Sequence, residues 1–187
     1  QFSLMATAAD KCPLTELLKP EYVDQANVFV SHAYSYNLWD SIECMLRYDK
    51  DHPGSVFWFD PFSLNQHPTP SGKVPTKDLI SAFGDRIEEY QATLIVASPW
   101  DNPAFLARAW CLFEFMCSHN AKKPITTMLP RKQEEAFVKD LGKDWQVLQQ
   151  ALARIDSRNA QAKEQDDLRA INQQIEESVT HHKLNKN

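Results

Sequence analysis

One carboxylate stands in the most apolar segment of the chain. Between residues 105 and 119 the only full charges are Arg108 and Glu114. Helical spacing places them about 120° apart around the axis, so they do not face each other as an i,i+4 pair. Glu114 instead shares a helix face with Trp110, and a carboxylate there is costly to bury unless it is paired or opens into a cleft. Glu114 therefore either lies at a helix edge in water or acts as a carboxylate in a cleft.

The residues that would surround such a cleft follow apolar strands. Runs of strand-forming residues at 27–31, 55–60 and 93–98 are apolar without alternation, and a shorter strand is predicted at 124–129. Such strands, separated by amphipathic segments, are typical of a parallel sheet covered by helices on both faces. We predict a flavodoxin-like three-layer α/β sandwich over residues 27–130. Ligands of these folds bind beyond the carboxyl ends of the strands, where the sequence has Ser31, His32, Asp60 and Ser98.

The segments around the strands complete the predicted organisation. Residues 1–26 form a mixed lead-in, and residues 61–75 form a long proline-rich loop of a kind that is usually functional or disordered. Residues 131–187 form a helical C-terminal extension that either packs on the sandwich or stands apart as an appendix. Helical periodicity predicts helices at 38–48, 76–90, 103–119, 136–155 and 165–179.

The composition of the 187 residues excludes several classes of protein. The four glycines are scattered, so the chain lacks the clustered glycines of a Rossmann dinucleotide turn or a P-loop. A net charge of −5 argues against a nucleic-acid partner. No apolar run approaches the ~20 residues of a membrane span, and no signal peptide is evident. Four cysteines without a CxxC pair predict neither a zinc site nor a disulfide framework and fit a reducing cytoplasm.

Four short blocks of the sequence together resemble the Toll/interleukin-1 receptor (TIR) domain family. They are Asn-Val-Phe-Val-Ser-His at 27–32, Phe-Asp at 59–60, Leu-Ile-Val-Ala-Ser-Pro at 94–99 and Trp-Cys-Leu-Phe-Glu at 110–114. Family members show a V-F-[IV]-S strand, an F-[ILV]-D strand before a variable "BB" loop, a [IV]-[VF]-x-S strand and a W-C-x-x-E helix start, in this order. The resemblance covers residues 27–130, and the last block is its most specific part.

This resemblance implies an activity. Enzymatic members of the family cleave NAD+ between nicotinamide and ribose, and their catalytic glutamate corresponds to Glu114. Nicotinamide leaves as a neutral base from a cationic pyridinium, so no strong acid is needed, and a carboxylate against the ribose hydroxyls stabilises the oxocarbenium-like ribose. NAD+ is the substrate, and no further cofactor or metal is implied. The resemblance also implies homotypic assembly with other TIR domains, in stress, immune or cell-death signalling.

The other matched residues have a functional and a structural interpretation. The resemblance places Ser31 and His32 near the ribose or adenine, although His32 is equally well explained as a structural hydrogen-bonding group. The resemblance gives Asp60 a role in anchoring the BB loop. Ser98, at the end of the third strand, is a candidate donor of a hydrogen bond to phosphate. Trp110 either shapes the pocket floor or packs in the core.

Aromatic residues near the strand ends are candidates for stacking on nicotinamide or adenine. Phe59 and Phe62 offer such a face, with strand packing as the alternative for Phe59. Trp39 and Trp100 are further candidates.

Two departures from the family pattern concern pyrophosphate recognition. The loop at 63–73 lacks the usual L-x-x-G ending, and the first helix lacks the arginines that many relatives carry after the first strand. Lys73, Lys77 or Arg86 are candidate substitutes for these arginines, and their spacing does not favour one over the others.

The competing function is a non-catalytic TIR module that acts by assembly. A phospho-receiver is excluded because Ser31 and His32 stand where an acidic pair is needed, and a serine hydrolase because no GxSxG elbow occurs.

Overall fold

A parallel β-sheet forms the centre of the protein in the computed structural model, which describes residues 2–67, 76–153 and 156–178. Every residue of the first and third strands is buried, as expected for strands covered on both faces. The strand order is β2-β1-β3-β4 and all pairs are parallel, which confirms the predicted flavodoxin-like sheet. The strands are β1 (Val28–Ser31), β2 (Phe57–Trp58), β3 (Ala92–Val96) and β4 (Ile125–Met128).

Helices connect and flank these strands. Short 3-10 turns occur at Leu14–Leu17, Pro20–Tyr22, Ala104–Ala107 and Ser157–Asn159. The α-helices are α1 (Phe2–Ala6), α2 (Leu38–Asp51), α3 (Asp60–Ser63), α4 (Thr76–Glu89), α5 (Ala109–Asn120), α6 (Arg131–Leu141), α7 (Gln146–Ala153) and α8 (Gln165–Ser178).

The pleat of the strands gives the sheet two apolar faces. In β1, Val28 and Val30 pack against α2 through residues such as Cys44. Phe29 points to the opposite face and packs with Ile87 of α4. On that same face, Cys111 of α5 packs against β3. Helices therefore cover both sides of the sheet, which confirms the three predicted layers.

The helix predicted at 103–119 is interrupted at Arg108. Arg108 has extended backbone angles, φ −114° and ψ 122°, between the 3-10 turn and α5. Its neighbours are held by Gln161, whose N–H donates to Ala107 O at 2.8 Å and whose carbonyl accepts from Ala109 N at 2.9 Å. This contact with a distant segment replaces helical hydrogen bonds, which local periodicity does not reveal.

Two other predicted elements differ in extent. The strand expected at 55–60 ends at Trp58, because Pro61 occupies the first turn of α3, where proline favours a helix start. The helix expected at 136–155 is divided into α6 and α7. Gly142 ends the first, and the side chain of Asp144 accepts a hydrogen bond from Gln146 N at 2.9 Å at the start of the second.

The final helix belongs to the layer formed by α4 and α5. Ile171 and Ile175 of α8 are fully buried and pack with Leu112 and Met116 of α5. The C-terminal extension is expected either to pack on the sandwich or to stand apart, and α8 packs on the sandwich. Residues 181–187, at the end of that extension, lie outside the described residues. Over the described ranges no helix is both long and apolar enough to cross a bilayer.

Candidate functional site

A cavity of about 310 Å³ opens beyond the carboxyl ends of β1 and β2. One wall is formed by the residues that follow these strands and another by α4 and α5. The start of α8 and the residues just before it close a third side. The side chains that line the cavity include His32, Tyr34, Arg108, Trp110, Glu114 and Lys163.

The carboxyl group of Glu114 is fixed to the end of β1. Ser31 Oγ donates a hydrogen bond to Glu114 Oε2 at 2.5 Å. Burial is the main reason why the pKa of Glu114 rises to about 8, with Asp60 also raising it and Ser31 and Arg108 opposing the rise. No lysine or arginine forms a salt bridge with Glu114 within the described residues. Of its two alternatives, Glu114 therefore lies in a cleft and not at a helix edge in bulk water.

His32 and Asp60 form a second polar group beside Glu114. His32 Nδ1 lies 3.3 Å from Asp60 Oδ1, but this buried oxygen accepts no hydrogen bond from the described residues. Burial, and then the positive charge of Arg108, lowers the pKa of His32 to about 4, so its imidazole is neutral. Burial raises the pKa of Asp60 to about 6, against the effects of the Tyr34 hydroxyl and Arg108.

Trp110 lines the cavity and also packs against the hydrophobic core, so it has both the pocket position and the packing role that the sequence allows for it. Its ring centroid lies 5.7 Å from that of Phe83 and 6.1 Å from that of Phe113. Its Nε1–H donates to Asp167 Oδ2 at 3.2 Å. The indole is thus fixed by a hydrogen bond to α8 on one side and by aromatic contacts on the other.

Two cations, Arg108 and Lys163, line the cavity, and the acidic residues Glu164 and Asp167 line it beside Lys163. The guanidinium carbon of Arg108 lies 5.3 Å from the centroid of the Tyr34 ring. Arg108 is half-buried and Lys163 is exposed. Neither side chain forms a hydrogen bond or a salt bridge with the described part of the chain.

The structure brings five of the predicted site residues together and leaves three apart. His32, Asp60, Trp110 and Glu114 line the cavity, and Ser31 joins them through its hydrogen bond to Glu114. Phe59 is buried behind His32, with ring centroids 4.6 Å apart, and it lines a smaller cavity of about 170 Å³ on the α2 side. Phe62 packs edge-on against Phe59, and Ser98 follows β3 by two residues and donates its N–H to Tyr36 Oη at 3.1 Å.

The other stacking and phosphate candidates also lie away from the cavity. Trp39 is exposed on α2, and the ring of Trp100 packs on Phe137. Arg86 is exposed on α4 beside a different cavity. Lys73 and the side chain of Lys77 lie outside the described residues.

Part of the cavity wall consists of residues outside the predicted site, among them Arg108, Lys163 and Asp167. Arg108 had a usable signal, since it is the other full charge in the apolar segment around Glu114. Lys163, just before α8, and Asp167, on α8, had none, because charged residues in a polar C-terminal segment usually face solvent. Asp167 is placed by the packing of α8 on α5, and Lys163 by the bridge between Gln161 and Arg108.

Comparison with protein-family models, with curated proteins and with solved structures finds no match for this chain. Within the described ranges no group of three or more histidine, cysteine or acidic residues is placed to hold a metal ion. The side chains available for chemistry include the carboxyl groups of Glu114 and Asp60, the neutral imidazole of His32 and the guanidinium of Arg108. Together they offer two ionisable carboxyl groups in the cavity and a positive charge beside them.

Proposed function

We propose that the chain is a TIR-type NAD+ nucleosidase that cleaves the bond between nicotinamide and ribose, with Glu114 as its catalytic carboxylate. One observation carries the proposal. Glu114, the glutamate of the Trp-Cys-Leu-Phe-Glu block, lines a cavity with Trp110 and is oriented by the 2.5 Å hydrogen bond from Ser31. The resemblance of the four sequence blocks supports the same assignment.

The charge change in the reaction suits this carboxyl group. Nicotinamide–ribose cleavage moves the bonding electron pair onto the pyridinium nitrogen and leaves positive charge on the ribose. A carboxylate held in a partly buried cleft stabilises that charge more strongly than one in bulk water. The cationic pyridinium of the substrate in turn favours ionisation of Glu114, whose pKa burial raises to about 8.

The remaining steps use groups on the same wall. A water molecule adds to the ribose carbon as nicotinamide leaves, and its proton passes to the Glu114 carboxylate, which gives nicotinamide and ADP-ribose. Ser31 orients the carboxylate through its hydrogen bond. His32 is neutral and does not oppose the developing positive charge, while Trp110 provides an apolar face beside Glu114.

Nicotinamide release from NAD+ by concentrated protein, followed by chromatography, tests the proposal. We expect release by the unmodified chain and none by Glu114→Gln, which keeps the shape and loses the charge. Glu88→Gln is the matched control, because Glu88 is exposed on α4 and does not line the cavity. Equal release by Glu114→Gln would contradict the role of Glu114. No release by the folded chain at any concentration would favour the non-catalytic TIR module.

The resemblance also supports homotypic assembly in the cytoplasm, in stress, immune or cell-death signalling. Assembly that completes the site makes activity per molecule rise with protein concentration. Activity that stays proportional to concentration over a hundredfold dilution would contradict this part of the proposal.

A further inference from the structure

Arg108 is held at the cavity by the backbone and not by its own side chain. The parallel bridge to Gln161 fixes its extended conformation, with hydrogen bonds on both sides of it. Two residues after Gln161 the chain reaches Lys163, which lines the same cavity. One backbone contact between distant segments therefore places both cations beside the site.

The side chain of Arg108 has unused hydrogen-bonding capacity. One face of the guanidinium lies over Tyr34, at 5.3 Å from the ring centroid, which leaves the edges of the group open. Its donors reach no acceptor in the described part of the chain, although Asp60 and Glu114 line the same cavity. A planar fork of N–H donors with one face covered is suited to bidentate contact with a phosphate.

The size of the cavity indicates which part of a nucleotide would meet these cations. About 310 Å³ is at the small end of ligand pockets, enough for one part of a dinucleotide and not the whole. Arg108 directly precedes α5, and Glu114 lies five residues after the first residue of that helix, about 7.5 Å along its axis. Arg108 and Lys163 are the cations that line this pocket, so they are the groups toward which the 5′ substituent of a ribose at Glu114 would extend.

We propose that Arg108, with Lys163 beside it, forms a phosphate subsite that binds the diphosphate of a nucleotide. This inference rests on the proposed function only where it identifies the bound diphosphate as that of NAD+. It assigns phosphate recognition to the place where the residue before α5 pairs with the segment before α8, and not to Lys73, Lys77 or Arg86.

Titration of ADP and of adenosine into the intact chain, followed by calorimetry, tests the subsite without any turnover. We expect ADP to bind more tightly than adenosine. Arg108→Gln should weaken ADP binding by about 10- to 100-fold, the range for hydrogen bonds to a charged group, and leave adenosine binding unchanged.

Lys163→Gln should weaken ADP binding by a smaller factor. Its exposed side chain makes this variant safe for folding if Arg108→Gln proves unstable. Arg86→Gln, an exposed arginine elsewhere, is the matched control.

The same variants separate this inference from the proposed function. Equal ADP affinity in the unmodified chain, Arg108→Gln and Lys163→Gln would overturn the subsite, whatever happens to NAD+. If NAD+ is not cleaved but ADP binding depends on Arg108, the subsite stands and the proposed function fails. If NAD+ is cleaved, Arg108→Gln should raise KM by the same factor as it weakens ADP binding, and an unchanged KM would count against the subsite.

Discussion

Ser31 and Glu114 are 83 residues apart in the chain, yet the hydroxyl of one donates to the carboxyl group of the other at 2.5 Å. This hydrogen bond joins the carboxyl end of β1 to α5. Ser31 is buried, so its hydroxyl has little access to water as an alternative partner. Because the bond favours the ionised carboxylate, it works against the burial that raises the pKa of Glu114.

Ser31→Ala is expected to shift the pH dependence of NAD+ cleavage. Without the hydroxyl the pKa of Glu114 rises further, so kcat/KM reaches its plateau at higher pH and falls about tenfold at pH 7. A pH profile of kcat/KM from pH 6 to 10 measures the shift. Ser41→Ala, a buried serine on α2, is the control and should leave the profile in place. A profile that drops equally at every pH would show that Ser31 does not act through ionisation of Glu114.

Asp167 is expected to position Trp110 from α8. Asp167→Ala leaves the indole N–H without this acceptor, at a cost of about 1 kcal/mol, and loosens the ring at the cavity. We expect a higher KM for NAD+ with kcat changed less, together with a changed tryptophan fluorescence spectrum. Asp167→Asn retains an acceptor oxygen and should restore most of both properties. Similar KM values for the alanine and asparagine variants would show that the hydrogen bond is not what positions the ring.

Ser41→Ala is expected to stabilise the fold. Ser41 Oγ is buried and has no hydrogen-bond partner among the described residues, so removing it relieves a desolvation cost. Urea unfolding should show a gain of about 1 kcal/mol, with the m-value unchanged. A loss of stability would mean that the hydroxyl has a partner in solution.

The sheet could be predicted because its signal is local. The buried residues of β1 and β3 are consecutive and apolar, so the strands and their parallel arrangement follow from the sequence pattern. The helix break at Arg108 could not be predicted, because it depends on hydrogen bonds to Gln161, 53 positions further along the chain. Local periodicity carries no information about such a contact.

The candidate site divides in the same way. Glu114 and Ser31 could be predicted from an isolated charge and a strand end. Phe62 and Ser98 also lie close to strand ends, but Phe62 packs on Phe59, and Ser98 is held by Tyr36. Proximity in sequence to a strand end therefore selects candidates, and only the packing of loops and helices decides which of them face the cavity.

Glu114→Gln is expected to gain stability as it loses activity. The folded-state pKa of Glu114 is raised from 4.5 to about 8, so the native state binds the proton more tightly than the unfolded chain does. The stability from this proton is complete below pH 4.5 and is lost as the pH rises through 8. Because glutamine cannot ionise, the Glu114→Gln variant does not lose this part of its free energy of unfolding, which amounts to a few kcal/mol at pH 9. Thermal unfolding should therefore show a Tm several degrees above that of the unmodified chain at pH 9, and a small difference at pH 5.

The control Glu88→Gln should show no such divergence between the two pH values. Parallel Tm curves for Glu114→Gln and the unmodified chain would mean that Glu114 is not desolvated in solution, and the electrostatic argument for its catalytic role would fail with it.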